Sequence, residues 1–101
     1  MGASEFITTS SGKTPKEAFI KAVREAAFWY GHGGYTGTIA EKDGFLMIDP
    51  PKKEVNLYDY IGALLDDEES PVTDKWGPAG CINIDEKEGV SQYVFFGFAS
   101  T

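Results

Sequence analysis

The stretch that decides the fold is residues 30–42, with the sequence YGHGGYTGTIAEK, which joins the clearest helix of the chain to its sheet. It contains four glycines, two tyrosines and the only histidine of the chain, His32. Because the stretch follows a helix and precedes a strand, it has the reverse order of a dinucleotide-phosphate loop. The glycines therefore predict a tight turn, and only His32 and Tyr35 need a role beyond that turn, such as binding a small anion.

A strong helix start lies upstream of this turn. Thr14 is a favourable N-cap, and Glu17 three residues later completes a capping box. We expect a helix over residues 15–30, ended by Gly31 with a positive φ angle. Its apolar residues repeat at helical spacing and predict one face packed on a sheet, whereas Phe28 falls among the charged residues.

The remaining elements complete the order β-α-β-β-α-β-β. They are strands 5–9, 36–41, 45–49, 81–84 and 91–98, with a second helix that starts after Asn56. Asp43-Gly44 has the favoured chemistry of a tight hairpin between the second and third strands. The first six elements match the split βαβ pattern of ferredoxin-like folds. The sequence therefore predicts one α+β domain over residues 1–101, with an antiparallel-rich five-stranded sheet and two helices packed on one face.

Strand alternation leaves apolar side chains on the face of the sheet away from the helices. These side chains are Phe45, Met47, Cys81, Tyr93 and Phe95. An open face of this kind needs a cover. The alternatives are the loop over residues 70–80 with Trp76, a second copy of the chain, a foreign partner, or a flat ligand. The candidate binding residues are Phe45, Met47, Tyr93 and Phe95, with Trp76.

The charge of the chain is unevenly distributed. Residues 1–53 carry seven basic and six acidic side chains, whereas residues 54–101 carry ten acidic and two basic ones, within a formal net charge of -7. An acidic surface repels nucleic-acid phosphates and attracts basic surfaces. The sequence therefore argues against direct nucleic-acid binding.

The densest acidic run follows the second helix and consists of Asp66, Asp67, Glu68 and Glu69. It lacks the spacing of a calcium-binding loop, and a solvated charge run is its ordinary interpretation. A sharper hypothesis is that this acidic rim binds a basic site on another protein. We include its four carboxylates among the candidate binding residues.

Cys81 and His32 are the single cysteine and histidine of the chain. They cannot form an internal disulfide or a usual zinc site, so we expect a reducing cytoplasm, no metal and no cofactor. They could also form a thiol–imidazole pair, but the strand position of Cys81 favours a packed side chain. The N-terminus has no secretory signal pattern, and no apolar run is long enough to cross a membrane.

Four stretches carry a resemblance to a known group of proteins. They are residues 30–42, residues 75–81 (KWGPAGC), residues 95–101 (FFGFAST) and the opening MGASEF. In them the chain resembles a family of short uncharacterised proteins from phage and bacterial genomes, over almost its full length. The resemblance implies no particular activity, cofactor or catalytic residue. It implies a freestanding intracellular protein associated with phage, a setting in which small acidic proteins often bind host proteins.

Three functional hypotheses follow from the sequence. The first is a small acidic, non-enzymatic interaction module of the cytoplasm that binds a protein partner or itself. The alternative is a binding protein for a nucleotide or other small anion, with His32, Tyr35, Trp76 and Cys81 lining a pocket between the two glycine-rich loops. The weakest is a thiol-dependent enzyme that uses Cys81.

Overall fold

The computed structural model describes residues 2–31, 36–87 and 89–101. This part of the chain forms two α-helices, a four-stranded mixed sheet and two short 3-10 turns. The elements are β1 (Ala3–Gly12), α1 (Pro15–Tyr30), η1 (Ile39–Glu41), β2 (Phe45–Met47), α2 (Leu57–Asp66), η2 (Pro71–Thr73), β3 (Ala79–Lys87) and β4 (Val90–Ser100). The α+β class agrees with the prediction from sequence.

Both helices begin at side-chain caps that the sequence identifies. Thr14 Oγ1 accepts a hydrogen bond from the amide of Glu17 at 3.1 Å, and Asn56 Oδ1 accepts one from Tyr58 at 2.9 Å. Gly31 ends α1 with a φ angle of 89°, and its amide donates to the carbonyl of Ala27 at 2.8 Å. Because these caps satisfy orphan amides and carbonyls locally, the helix limits could be predicted from short sequence windows.

The expected five-stranded, antiparallel-rich sheet is wrong. The strands lie in the order β1-β4-β3-β2, with β4 antiparallel to both β1 and β3, and β2 parallel to β3. Residues 36–41 do not form a strand. Gly37 has a φ angle of 70°, and the next residue, Thr38, caps η1 by accepting a hydrogen bond from the amide of Ala40 at 3.2 Å.

The expected hairpin at Asp43-Gly44 is also absent, because η1 rather than a strand precedes it. The carbonyl of Gly44 instead accepts a hydrogen bond from the amide of Ala79 at 3.0 Å, and this bond starts the parallel pairing of β2 with β3. Parallel neighbours need a long crossover connection, and α2 lies within it. The split βαβ pattern of ferredoxin-like folds is therefore not formed.

The two helices pack on opposite faces of the sheet, not on one face as expected. The helix α1 covers a cluster that includes Phe6, Cys81, Tyr93 and Phe95. A second cluster contains Ile61 and Leu65 of α2 with Ile82, Val94 and Phe96 of the sheet. Alternation therefore sorted these strand residues to two faces correctly, but each face has its own helix.

This topology leaves the long strand β1 at one edge of the sheet. Its ten residues pair with β4 in a continuous register from Ala3 opposite Ser100 to Gly12 opposite Ser91. The helix α1 follows β1 in the chain and packs beside it. A helix and an edge strand therefore lie next to each other, and the surface between them is the candidate functional site.

Candidate functional site

The aromatic residues expected on an open face lie in the core. Phe95 is fully buried, Tyr93 is buried, and Phe45 is half-buried beneath α1. The ring of Phe19 on α1 lies 5.2 Å from that of Phe45 and 5.6 Å from that of Phe95, between ring centroids. The cover that the sequence required is therefore α1 itself. Of the four predicted face residues, Met47 alone is exposed, at the end of β2.

Cys81 lies in the core on β3 with no exposed surface. Burial raises the pKa of its thiol to about 12, so the thiol stays protonated at neutral pH. A nucleophilic cysteine needs the thiolate and access to substrate, and Cys81 has neither. Because the side chain is buried, it does not line an open pocket with Trp76. His32 and Tyr35 lie outside the described residues.

The acidic rim is exposed around the end of α2. Asp66 is the last helical residue, and Asp67 Oδ1 accepts a hydrogen bond from the amide of Glu69 at 3.1 Å. Glu68 is likewise exposed. Within residues 2–31, 36–87 and 89–101, no group of three or more His, Cys, Asp or Glu side chains is arranged to hold a metal ion. The four acidic side chains of the rim are therefore exposed to solvent and form no ligand cluster.

Trp76 projects from a turn that is fixed by a buried lysine. Lys42 is only 4% exposed, and its ammonium donates to the carbonyl oxygens of Asp74, Lys75 and Gly77 at 3.0 to 3.2 Å. Burial lowers the pKa of Lys42, and the nearby Asp74 carboxylate partly offsets this effect. The Trp76 indole itself is exposed, with the Lys75 ammonium 5.5 Å from the ring centroid.

Three consecutive aromatic residues at the end of α1 are the largest exposed apolar group on that helix. Phe28, Trp29 and Tyr30 are 78%, 70% and 67% exposed. The rings of Phe28 and Trp29 meet edge to face, with centroids 5.2 Å apart. We call these three residues the aromatic end of α1. Phe28 is exposed as its helical position predicts, whereas Tyr30 is exposed although helical spacing puts it on the same face as the buried Phe19.

A groove connects the aromatic end with strand β1. It has a volume of about 450 Å³ and lies between α1 and β1, with Gly37 and Thr38 also in its lining. Its apolar walls are supplied by Phe6, Ala22, Ala26 and Trp29. We call this feature the α1–β1 groove. Two carboxylates, those of Glu5 and Glu25, belong to residues that line it.

The main chain on the outer side of β1 is available for pairing. Thr101 donates its amide hydrogen to the carbonyl of Gly2 at 3.2 Å, so this pair is bonded across the β1–β4 ladder. Bonded and non-bonded pairs alternate in an antiparallel ladder. Even-numbered residues of β1 therefore bond to β4, whereas Glu5, Ile7 and Thr9 direct their amides and carbonyls away from the sheet.

Among the features that protect an edge strand, the described β1 has one charged side chain, Glu5, but lacks several others. Its ten residues, ASEFITTSSG, include no proline, lysine or arginine, and the register with β4 contains no bulge. Ile7 in the middle of the strand is 39% exposed. Long, flat edges without such protection are templates for pairing with another chain.

Sequence reasoning did not identify this groove, although two signals point toward it. Residues 28–30 form an FWY triplet, and successive residues in a helix turn by about 100°, so three neighbouring rings cannot share one buried face. The second signal is the uncharged run over residues 6–12. Neither signal tells which strand lies at the edge of the sheet, because strand order depends on pairing with β4 at the far end of the chain.

The chain has no match among protein-family models, curated proteins or solved structures. Among the described residues, no helix combines the length and apolar character needed to cross a bilayer. The functional interpretation of the α1–β1 groove and the aromatic end therefore depends on their geometry and chemistry.

Proposed function

We propose that this protein is a non-enzymatic interaction module of the cytoplasm that binds a protein partner or itself. The observation that carries the proposal is the exposure of Phe28, Trp29 and Tyr30 beside the apolar α1–β1 groove. Contiguous exposed apolar surface beside a polar rim is typical of protein-interaction sites. Tryptophan, tyrosine and phenylalanine are also enriched in the centres of such interfaces.

The position of the aromatic end supports binding more than stability. The structural role of α1 is filled by its earlier turns, where Ala18, Phe19 and Ala22 are buried against the sheet. Exposed aromatic rings add little to that core. A partner that buries two or three of them would gain apolar contact area at a small cost in side-chain entropy, because each ring has only two rotatable bonds.

The proposal can be tested with a photo-crosslinking amino acid, benzoylphenylalanine, placed at Phe28. The control places the same residue at Tyr58, which is exposed on α2 over the opposite face of the sheet. We expect crosslinks to one defined protein, or to a second copy of the chain, from position 28 but not from position 58. Equal crosslinking at both positions, or none at either in lysate of the source organism, would contradict the proposal.

A further inference from the structure

We infer that the α1–β1 groove binds an extended, basic segment of another protein, which adds a strand to the outer edge of β1. This inference depends on the proposed interaction function and specifies its partner chemistry. The amides and carbonyls of Glu5, Ile7 and Thr9 face outward, and no described residue outside the β1–β4 ladder hydrogen-bonds to them. In strand addition, main-chain hydrogen bonds supply affinity and pockets for alternate side chains supply specificity.

The groove defines which side chains of the added strand become buried. Residues opposite each other on neighbouring strands point to the same face of a sheet. Phe6 faces α1, so partner residues opposite Phe6 and Thr8 would project into the groove, against Ala22, Ala26 and Trp29. The partner residue opposite Ile7 would lie on the other face. The groove therefore selects small or medium apolar side chains at two alternate positions.

The charges of the groove define the flanking residues of the partner. Glu5 and Glu25 are exposed and are the charged residues among those that line the groove. The Glu25 side chain is on α1, whereas strand alternation puts the Glu5 side chain on the same face of the sheet as Ile7. Lys21, one helical turn before Glu25, directs its ammonium toward the C-terminal end of β1, where it donates to Ser11 Oγ at 3.4 Å. A lysine or arginine opposite Glu5, and another near Glu25, would complement these carboxylates.

The same charges favour a foreign segment over a second copy of the chain. Pairing of β1 with β1 of another copy would bring no basic side chain from that strand toward Glu5, because Ala3–Gly12 contains neither lysine nor arginine. It would also bring together two groove linings whose charged residues are the carboxylates of Glu5 and Glu25. Like charges across an interface oppose association, whereas a basic segment gains from both carboxylates.

These requirements specify a probe peptide. In the antiparallel direction, the sequence KTVTVK places its two valines opposite Thr8 and Phe6, its central threonine opposite Ile7 and its last lysine opposite Glu5. The control KTVPVK has proline at the residue that would donate its amide hydrogen to the carbonyl of Ile7. The second control, ETVTVE, reverses both charges. All three are used acetylated and amidated, so that terminal charges do not contribute.

Binding can be followed by the fluorescence of Trp29 in a Trp76→Phe variant, which leaves Trp29 as the single tryptophan. We expect KTVTVK to bind saturably, KTVPVK to bind at least tenfold more weakly, and ETVTVE not to bind. Glu25→Lys should weaken binding of KTVTVK about fivefold, the size of effect expected for an exposed charge pair. Higher salt should weaken it as well.

A groove-filling substitution provides the test on the protein side. Ala26 is half-buried in the groove wall, so Ala26→Leu should block the added strand and reduce affinity at least tenfold. The matched control is Ala63→Leu on the exposed side of α2, which should bind KTVTVK as the parent protein does. Circular dichroism and urea unfolding of both variants establish that each is folded.

Three results would overturn the inference. The first is equal binding of KTVTVK and KTVPVK, and the second is no binding of KTVTVK at millimolar concentration. The third is a dimer in sedimentation equilibrium that Ala26→Leu abolishes, which would assign the groove to a second copy. A crosslinked partner at position 28 that survives Ala26→Leu would leave the proposed function intact while rejecting the strand-addition mode.

Discussion

The side-chain ammonium of Lys42 donates a hydrogen bond to the carbonyl oxygen of Gly77 at 3.0 Å. The same ammonium reaches the carbonyls of Asp74 and Lys75 at 3.2 Å each. One buried cation thus holds three carbonyls of the turn that carries Trp76. This arrangement connects the residue after η1 with a turn more than 30 positions later, and it leads to the first two predictions.

Replacing Lys42 with methionine should lower the free energy of unfolding by about 2 kcal/mol. The variant keeps most of the side-chain volume but leaves three carbonyls without their donor, and leaving partly buried polar groups unsatisfied costs roughly 1–3 kcal/mol. Urea unfolding measures the change. The control is Lys53→Met, an exposed lysine whose loss should cost less than about 0.5 kcal/mol. Equal stability of the two variants would contradict the anchoring role of Lys42.

The buried Lys42 should also make the free energy of unfolding depend on pH. Burial lowers its pKa in the folded protein below the unfolded value of 10.5. Between the two pKa values the unfolded state binds more protons, so stability rises with pH in that window. The free-energy difference between the parent protein and Lys42→Met should therefore grow as pH increases toward 10.5. A difference in urea-derived stability that stays constant or shrinks between pH 7 and pH 10.5 would refute this prediction.

The thiol of Cys81 should act in the opposite direction. Its pKa is raised from 9.0 to about 12 in the folded protein, so the unfolded state releases its proton first as pH rises. Stability from this group is fully present below pH 9 and is lost above it, with about 1.4 kcal/mol lost at pH 10. The variant Cys81→Ala should be less stable at pH 7 but should show a smaller loss between pH 8 and pH 10. Identical alkaline losses in the two proteins would contradict the buried-thiol description.

The ring of Phe96 lies over Gly80 on the neighbouring strand. A Cβ atom added at Gly80 would come within 2.5 to 3.0 Å of three atoms of that ring. Gly80→Ala should therefore destabilise the protein by about 1–3 kcal/mol through overpacking. The double variant Gly80→Ala with Phe96→Leu should show a smaller combined loss than the sum of the single losses.

Gly44→Ala is the control for this cycle, because an added Cβ atom there meets no other atom within 4 Å. It should change stability by less than about 0.5 kcal/mol. Thermal or urea unfolding of all four variants measures the coupling. Additive losses at Gly80 and Phe96 would show that the ring does not require the glycine.

The parts of the fold that depend on local chemistry could be predicted from the sequence. Thr14 and Asn56 cap their helices through bonds within three residues, and Gly31 ends α1. Strand alternation also placed Phe95 and Phe96 on opposite faces. These features require only helical or strand periodicity and side chains that bond to their own neighbourhood.

The parts that depend on distant contacts could not be predicted. The carbonyl of Gly44 bonds to Ala79, a residue 35 positions later, and this bond replaces the expected hairpin by a parallel pair. Nothing in the apolar stripe of α2 indicates on which face of the sheet the helix packs. The local sequence around Lys42 likewise indicates only a turn residue. Its buried role could not be predicted, because the three carbonyls that accept its hydrogen bonds come from residues 74–77.

The candidate site was missed for the same reason. Strand alternation predicts an open face at Tyr93 and Phe95, because the sequence pattern favours both helices on the other side of the sheet. Once α1 covers that face, the exposed apolar surface moves to the end of the helix and to the edge strand β1. Sequence patterns identify which residues share a face more readily than they identify which element covers it.

The most direct test of strand addition is amide hydrogen exchange by NMR on the protein with and without KTVTVK. The amides of Phe6 and Thr8 already bond to β4, whereas those of Glu5, Ile7 and Thr9 face outward. Strand addition should slow amide exchange at Ile7 and its outward-facing neighbours, while exchange at Phe6 and Thr8 should change little. Unchanged exchange at Ile7 with a bound peptide, or protection confined to the turn around Trp76, would contradict it.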